Sequence, residues 1–312
     1  MGFPATVREV TVVLGASGGI GWVLRQCWPG MLSAEAQTRW QARRPQADAG
    51  LQEDWVILDP LQDPDGLMQA LEGADQVLCL AGVVPGRGTD LADNTHLALA
   101  AIEAAAQAAD RSGRDEGAAR VFLASSAAVY GAGSGLLREE EPVRPTHAYG
   151  QAKRDMELQA LARGQELGVP VCALRIGNIA GLDAILGGWR PGFSLDCFPN
   201  GQSPRRSYIG VRTLAQVLAA LLRTPRLPPI VNLAQPGTID MGDLLRAAGR
   251  EFALQPASER AIPEVAFDLT LLQKALSQKD MPATADAACL AREWAVLEPD
   301  FHALHLEGSE RP

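Results

Sequence analysis

The sequence lacks an excess of positive charge. Its 28 lysine and arginine residues are outnumbered by 37 aspartate and glutamate residues, which gives a formal net charge of −9. Because nucleic acids and anionic membranes attract cationic proteins, this balance argues against nucleic-acid and membrane partners. Any phosphate-binding site must therefore be local.

Cysteine pairs and long apolar runs are missing as well. The five cysteines are odd in number, scattered, and form no Cys-x-x-Cys pair, so we expect reduced thiols in a cytoplasmic protein. No apolar run is long enough to span a bilayer, and the first residues lack the apolar core of a secretory signal. His302 and His305 lie three apart without a cysteine or carboxylate at ligand spacing, so we expect no metal site.

The feature that organises the chain is an apolar run that ends in a cluster of glycines. Residues 10–14 are β-branched or aliphatic, the glycines follow, and apolar residues then recur at helical spacing, which predicts a strand, a tight turn and a helix. Glycines permit the turn and close approach of a pyrophosphate, and the helix N-terminus attracts phosphate. The alternative is an ordinary strand-to-helix turn. We expect a dinucleotide site that includes Gly15, Ser17, Gly18, Gly19, Ile20 and Gly21.

The end of the next predicted strand, residues 36–42, bears on which dinucleotide is bound. A carboxylate there would accept hydrogen bonds from the adenosine ribose of NAD, but the strand continues into Arg43 and Arg44 instead. Two guanidinium groups can bind a 2′-phosphate, which favours NADP over NAD. The alternative is a pair of solvated loop arginines.

Two further predicted strands end in residues that suit the same ligand. Asp59 follows the apolar run 55–58 and could accept a hydrogen bond from the adenine amino group. Alternatively, Asp59 caps the helix predicted over 61–71, a role that Asp63 could also fill. The next strand ends as expected beneath the ribose next to the nicotinamide, in Leu80, Ala81 and Gly82.

Three residues capable of proton transfer follow along the chain. The predicted strand 120–124 delivers Ser126 to the same edge of the sheet, and Tyr149 and Lys153 lie four residues apart at the start of a helix. On one helix face, the ammonium can approach the phenol and lower its pKa. We therefore predict that Ser126 holds a substrate oxygen, that Tyr149 exchanges a proton with it, and that Lys153 tunes the phenol and holds a ribose. A Tyr-x-x-x-Lys spacing alone is usually a helix surface, and the serine and the glycine turn make it specific.

Together these features resemble the extended short-chain dehydrogenase/reductase family, also called the NAD-dependent epimerase/dehydratase family. The likeness extends from about residue 9 to about residue 235. It implies an α/β fold: a Rossmann-type, doubly wound parallel sheet with a small, mainly helical C-terminal substrate lobe. The implied dinucleotide-binding domain is 1–180, with 206–233 returning to it, and the implied substrate lobe is 181–205 and 234–312.

The resemblance also implies further site residues. It places Asn94 among the cofactor-binding residues, and it places Asn178 and Arg206 at the substrate, where Arg206 would hold the pyrophosphate of a nucleotide sugar. The acidic pair that follows this segment in the family is Arg212 and Thr213 here. Alternatively, Arg206 is a structural residue that caps the next helix.

Several reactions fit these residues. Dehydratases of the family carry an Asp-Glu pair after the catalytic hydroxyl, where this chain has Ala127 and Ala128, so we do not expect dehydration. We expect an NAD(P)-dependent enzyme that moves a hydride between nicotinamide and a secondary alcohol or ketone carbon of a small molecule. The alternatives are a nucleotide-sugar epimerase that retains NAD and a non-catalytic NAD(P) sensor. The resemblance also implies a possible homodimer.

Overall fold

The computed structural model describes residues 9–33, 35–50, 53–86, 88–112, 117–133 and 135–309. Strands β1 to β15 are, in chain order, Val10–Leu14, Gln37–Ala42, Asp54–Ile57, Gln76–Cys79, Arg120–Ser126, Leu136–Leu137, Val171–Ile176, Asn178–Ile179, Ser194–Cys197, Arg205–Arg206, Tyr208–Ile209, Ile230–Leu233, Ile239–Asp240, Ala253–Pro256 and Glu264–Phe267. Helices α1 to α8 are Gly19–Cys27, Pro64–Ala70, Asp93–Ser112, Ala148–Leu167, Val211–Arg223, Met241–Ala247, Thr270–Ala275 and Ala287–Ser309.

Seven strands form the main sheet, in the order β12-β7-β5-β4-β1-β2-β3. Strand β1 pairs in parallel with β2 on one side and β4 on the other, and the β2–β3 and β4–β5 pairs are parallel too. This order confirms the predicted Rossmann-type, doubly wound sheet. In such a sheet, ligands bind beyond the carboxyl ends of the strands where the strand order reverses, which here is between β1 and β4.

Residue contacts divide the chain into two compact units. The first comprises Met1–Ala128, His147–Leu174 and Pro228–Ile230, and the second comprises Val129–Thr146, Arg175–Leu227 and Val231–Pro312. The predicted boundaries of the dinucleotide-binding domain and substrate lobe stay a prediction, because contacts alone do not show which part binds which ligand.

The first unit holds its central strands in a buried core. Every residue of β1 and β4 is buried, as expected for a parallel sheet covered by helices on both faces. The polar side chains Thr11 and Gln76 satisfy each other there, with the threonine hydroxyl 2.9 Å from Gln76 Oε1. Helix α4 packs closely against this core, since a Cβ at Gly164 would lie 2.5 Å from Cγ2 of Val171. The last turn of α4 is therefore held close to the sheet.

The second unit combines four helices with short strands. Three of the helices, α6, α7 and α8, lie beyond residue 240 and form the helical C-terminal part that the sequence predicts. Strand β10 pairs with β13 and β15, β8 with β11, and β9 with β14. Several of these strands have only two residues, too few for an alternating pattern to be visible in the sequence. Within the described residues, no helix is both long enough and apolar enough to cross a membrane.

Candidate active site

The glycine turn connects β1 to α1, and two of its glycines leave no room for a side chain. Gly15 has a φ of +79°, and a Cβ there would lie 2.5 Å from the backbone nitrogen of Ala81. A Cβ at Gly21 would lie 2.5 Å from Cα of Ala16. Gly18 is different, because its φ of −77° is open to any residue and its closest neighbour would be the oxygen of Gly15 at 3.4 Å. Gly15 and Gly21 are thus required by the fold, whereas Gly18 is not.

A cavity of about 450 Å³ opens at the reversal point of the sheet, within the first unit. Of the predicted cofactor-binding residues, eight line it: Gly15, Ser17, Gly18, Arg43, Asp59, Leu80, Ala81 and Gly82. The others named for the same role are not among its lining residues: Gly19, Ile20, Gly21, Arg44, Asn94, Tyr149 and Lys153. Sequence reasoning missed eight lining residues: Gln41, Ala42, Pro60, Leu61, Gln62, Val83, Asp93 and Leu97.

Gln41 supports the turn in a way that the sequence does not reveal. The residue is 1% exposed, its Oε1 accepts a hydrogen bond from the backbone nitrogen of Gly15 at 2.9 Å, and its Nε2 donates to the oxygen of Leu58 at 2.7 Å. One side chain thereby links the ends of three neighbouring strands. The sequence signals this role only weakly, because Gln41 lies near the end of a strand that contains both polar and apolar residues.

Arg43 and Arg44 have different positions. Both are exposed, but only Arg43 lines the cavity. The backbone oxygen of Arg44 accepts a hydrogen bond from Nε2 of Gln46 at 2.7 Å. Among the residues that the structure describes, neither guanidinium has a protein partner, so both stay available to a ligand.

The two aspartates that follow β3 also differ. Asp63 is the N-cap of α2, because its side chain accepts a hydrogen bond from the nitrogen of Gly66 at 2.9 Å. Asp59 lines the cavity, and one of its oxygens accepts from the nitrogen of Leu61 at 3.0 Å. The helix-capping alternative for Asp59 is therefore wrong, and its proposed contact with adenine stays a prediction.

Asn94 is buried and holds the loop after β4. Its Oδ1 accepts from the nitrogen of Val83 at 3.2 Å, and its Nδ2 donates to the oxygens of Val83 and Leu91 at 3.0 and 3.1 Å. A Cβ at Gly82 would lie 2.8 Å from that Oδ1 and 3.3 Å from Nζ of Lys153. Asn94 therefore shapes the cavity wall through the backbone of residues 82 and 83.

The three residues predicted to transfer protons come together in the first unit. Ser126, at the end of β5, is hydrogen-bonded to Tyr149 in the first turn of α4. The Lys153 ammonium donates to the backbone oxygen of Ala124 at 2.8 Å and lies 5.8 Å from the centre of the Tyr149 ring. Spacing along α4 and the end of β5 thus produce the proximity that the sequence predicted.

The pKa values differ from the sequence expectation. Burial raises the pKa of Tyr149 above its ordinary value, and the hydrogen bond with Ser126 only partly offsets this effect. Burial lowers the pKa of Lys153 to about 8. Lys153 is not among the groups that shift the pKa of Tyr149 in this structure, and its ammonium donates its hydrogen bond to Ala124, so its role in tuning the phenol stays a prediction.

Two more ionisable side chains, Glu157 and Cys79, lie close enough to Lys153 to affect its pKa. Glu157, one turn further along α4, is 2% exposed and accepts a hydrogen bond from Ser125 at 2.5 Å. The Cys79 thiol at the end of β4 is buried as well, and burial raises its pKa to about 11. Sequence reasoning missed both. The four-residue spacing from Tyr149 to Lys153 and on to Glu157 was the available signal, since it places all three on one helix face.

The two predicted substrate residues lie in the second unit. Arg206 donates from Nη1 to the oxygen of Arg205 at 2.7 Å and from Nη2 to the oxygen of Ile262 at 3.0 Å. Asn178 is hydrogen-bonded to Asp183 and Tyr208, whose own side chains are 2.8 Å apart. These contacts favour a structural role for Arg206, and the substrate roles of both residues stay predictions.

A distant carboxylate replaces the acidic pair missing at the start of α5. Glu293 on α8 accepts hydrogen bonds from the nitrogens of Arg212 and Thr213 at 2.8 and 3.0 Å and from the Thr213 hydroxyl at 2.6 Å. A carboxylate at a helix N-terminus satisfies free N–H groups and complements the helix dipole. Gly210 leaves the space that this contact needs, because a Cβ there would lie 2.2 Å from Glu293 Oε2.

Groups of histidine, cysteine and carboxylate that could hold a metal ion are absent from the part of the chain that the structure describes. His302 lies 3.5 Å from Glu298 on α8, and the side chain of His305 is outside the described residues.

The sheet order, the glycine turn and the cavity at the reversal point define an α/β protein of the dinucleotide-binding class. Residues 11–234 match the model of the NAD dependent epimerase/dehydratase family. The chain therefore belongs to this family. Among curated proteins, no sequence matches it.

Solved structures with the same fold include several enzymes. A UDP-glucose 4-epimerase from Brucella ovis in complex with NAD is similar at a TM-score of 0.74 and 19% identity, over 92% of this chain and 98% of that one. DesIV, a dTDP-glucose 4,6-dehydratase from Streptomyces venezuelae with NAD bound, gives 0.71 and 18%, over 95% and 100%. MoeE5, in complex with UDP-glucuronic acid and NAD, gives 0.70 and 21%, over 93% and 99%. At these identities, the likeness shows the fold.

Proposed function

We propose that this chain is an NAD(P)-dependent oxidoreductase that acts on a secondary alcohol or ketone carbon of a small molecule. The observation that carries the proposal is the meeting of Ser126, Tyr149 and Lys153 in the unit that also holds the cavity beside the glycine turn. A hydroxyl, a phenol and an ammonium in this arrangement can bind a substrate oxygen and exchange a proton with it. This supports an enzyme over a sensor, which has no use for such a set.

Each of the three side chains has its own role in this proposal. Ser126 orients the substrate oxygen through its hydroxyl, and Tyr149 gives or takes the proton at its phenol oxygen. Burial disfavours the charged phenolate, so the phenol needs a nearby cation in order to act near neutral pH. Lys153 is that cation while it keeps its proton, which it does below a pKa of about 8.

The cavity fits a nicotinamide dinucleotide. Such a cofactor supplies the hydride donor or acceptor when it is bound. Gly15, Gly18 and Gly82 line the cavity and carry no side chain, so a ligand can approach their backbone closely. In this proposal the glycine turn holds the pyrophosphate, Asp59 the adenine, and residues 80–82 with Lys153 the ribose next to the nicotinamide.

We propose NADP as the preferred cofactor. Strand β2 ends at Ala42 without a carboxylate, and Arg43 follows directly on the cavity wall. A carboxylate at this place would repel a 2′-phosphate, whereas a guanidinium group binds one with charge-assisted hydrogen bonds. Arg44 can reach the same phosphate only from outside the cavity wall.

A nucleotide-sugar epimerase with retained NAD is the second candidate. Two of the similar structures favour it. One is a UDP-glucose 4-epimerase in complex with NAD, and the other, MoeE5, is in complex with UDP-glucuronic acid and NAD. Arg206 argues against it, because its guanidinium is bonded to two backbone oxygens. We place dehydration behind both candidates, since Ala127 and Ala128 offer no acid to protonate a leaving hydroxyl, although DesIV shares the fold.

Cofactor turnover separates the two candidates. Purified protein is washed free of cofactor and mixed with NADPH and a panel of small ketones and aldehydes, and NADPH consumption is followed by absorbance. Oxidoreduction predicts consumption in proportion to substrate. An epimerase predicts NAD that resists washing, and interconversion of UDP-sugars with no net change in absorbance. Absence of all three signals would contradict both candidates.

A further inference from the structure

Arg25 is an arginine buried at the end of α1. Its side chain is 1% exposed, and its Nη2 lies 2.7 Å from Oδ2 of Asp48. Its Nη1 lies 3.7 Å from Oε2 of Glu53, and its guanidinium carbon lies 5.0 Å from the centre of the Trp55 ring. The guanidinium is therefore enclosed by two carboxylates of the segment between β2 and β3 and by an aromatic ring of β3.

That segment, here called the 43–53 loop, begins with Arg43 and Arg44; the structure describes its residues 43–50 and 53. Its far end is tied together by Glu53, whose Oε2 accepts from the nitrogen of Gly50 and from Nε1 of Trp55, both at 2.9 Å. Its middle is tied to the rest of the unit through Asp48 and Arg25. Among the described residues, this ion pair is thus the link between the middle of the loop and α1.

Stability alone does not explain a buried arginine at this place. Within the described part of the chain, Nε and Nη1 of Arg25 and Oδ1 of Asp48 are buried without a hydrogen-bond partner. Burying charge is costly, and a partly satisfied ion pair often stabilises a fold less than an apolar replacement would. The contribution of Arg25 is better sought in what it holds in place.

Charge gives Arg25 a second effect on the same loop. The carboxylates of Asp48 and Glu53 offset the two positive charges of Arg43 and Arg44, so the loop by itself has no net charge. The guanidinium of Arg25 neutralises a carboxylate at close range and leaves the start of the loop with a positive balance. A phosphate dianion requires that balance.

We propose that Arg25 is a positioning residue for cofactor selection: through Asp48 it holds the 43–53 loop so that Arg43 lies on the cavity wall and can bind the 2′-phosphate of NADP. The inference rests on the proposed preference for NADP. Arg25 itself is buried and does not touch the ligand, so it acts through the loop and through the charge of Asp48. In this proposal Arg25 does not affect the pyrophosphate of the cofactor, which is bound at the glycine turn.

Paired titrations with NADPH and NADH test the proposal. Cofactor-free wild type, Arg25→Met, Arg25→Lys and Asp48→Asn are titrated by fluorescence, and Arg25→Met retains an apolar stem over Trp55. We expect NADPH binding to weaken about tenfold in Arg25→Met, where the loop is released and a positive charge is lost. In Asp48→Asn the loop is released but a negative charge is lost, so the weakening should be smaller. NADH binding should change less than about twofold in both, and Arg25→Lys should restore part of the loss. Hydrogen exchange of the amides at 44–50 should quicken in Arg25→Met.

Arg163→Met is the matched control. It also removes one positive charge from the first unit, but Arg163 is partly exposed and pairs with Glu103 and Glu166. We expect it to leave the ratio of the two dissociation constants unchanged. A similar change in Arg163→Met would mean that net charge alone is responsible, which would overturn the role of Arg25.

The possible failures are distinguishable. A wild type that binds NADH as tightly as NADPH overturns the preference for NADP, and the inference with it, before any variant is made. A wild type that prefers NADPH, with an unchanged ratio in both Arg25→Met and Asp48→Asn, overturns only the role of Arg25. Equal weakening of both cofactors shows a merely structural arginine and also overturns it. If Arg25→Met does not fold, hydrogen exchange of the loop amides in Asp48→Asn decides, since it reports the release of the loop independently of charge.

Discussion

The hydroxyl of Ser125 lies 2.5 Å from Oε1 of Glu157, and both residues are buried. Ser125 directly precedes the serine that is bonded to Tyr149, and Glu157 lies one turn beyond Lys153 on α4. The contact therefore connects the strand and the helix that carry the proposed proton-transfer residues. It also holds the Glu157 carboxylate close to Lys153, whose positive charge the proposed chemistry requires.

The pH dependence of kcat/KM should report that lysine. Burial lowers the pKa of Lys153 to about 8, so the cation that assists Tyr149 is present below this pH and is lost above it. We expect kcat/KM, which reports groups of the free enzyme, to fall on the alkaline side near pH 8. The Cys79 thiol, with a pKa of about 11, stays neutral throughout this range.

Glu157→Gln should move that alkaline limb to lower pH. The negative charge of Glu157 favours the protonated lysine and raises its pKa, so its removal makes Lys153 lose its proton earlier. Asp155→Asn is the control, because Asp155 lies on the same helix but pairs with Arg154 and is partly exposed. A limb that stays in place in Glu157→Gln, or moves equally in both variants, would contradict the coupling.

The parts of this site that could be predicted from the sequence are those set by short spacing. The turn Gly15–Gly21 and the pair Tyr149 and Lys153 follow from local rules of strands and helices. Glu293 could not be found this way, because it contacts Thr213 from 80 residues away.

Burial explains the other differences between sequence and structure. The raised pKa of Tyr149 depends on how much water the fold excludes, which spacing does not reveal. Arg25 and Gln41 are polar residue types that usually lie at the surface. Both are buried here because residues distant in the sequence pack around them. The short strands of the second unit, such as β10, are defined by their partners and not by their own residues.

Tyr149→Phe should abolish turnover and leave cofactor binding intact. The change removes the phenol oxygen that exchanges the proton but keeps the ring, and loss of a general acid or base costs about 10²- to 10⁴-fold in rate. The measurement pairs steady-state turnover with a fluorescence titration of NADPH. Undiminished turnover would show that another group moves the proton, and loss of binding in a folded variant would show that the tyrosine serves the cofactor instead.

Two glycine substitutions should separate folding from binding. Gly15→Ala forces a Cβ to 2.5 Å from Ala81 at a φ of +79°, so we expect it to destabilise the fold by about 2–4 kcal/mol. Gly18→Ala meets only an oxygen at 3.4 Å and should leave the melting temperature nearly unchanged while weakening dinucleotide binding.

Gly73→Ala controls for backbone strain alone, since Gly73 has a φ of +71° with open space around it. Thermal unfolding of all three variants tests the expected loss of stability in Gly15→Ala. A cofactor titration of the same variants tests the expected loss of dinucleotide binding in Gly18→Ala. Unweakened dinucleotide binding by Gly18→Ala would argue against a pyrophosphate at the turn.

Glu293→Ala should lower stability without touching the first unit's chemistry. It removes three hydrogen bonds at the N-terminus of α5, where loss of a cap and its charge costs about 1–3 kcal/mol. Chemical unfolding measures the change, and Asp300→Ala, an exposed position on the same helix, is the control. Equal stability of the two variants would mean that water replaces the cap at no cost.

A single titration addresses the dinucleotide site itself. Cofactor-stripped wild-type protein is titrated with NADPH and, in parallel, with NADH, and the fluorescence of the reduced nicotinamide is followed. The cavity beside the glycine turn predicts saturable, one-to-one binding of both, and Arg43 on its wall predicts the lower dissociation constant for NADPH. Tighter binding of NADH would contradict the 2′-phosphate site, and saturable binding of neither would contradict the dinucleotide site as a whole.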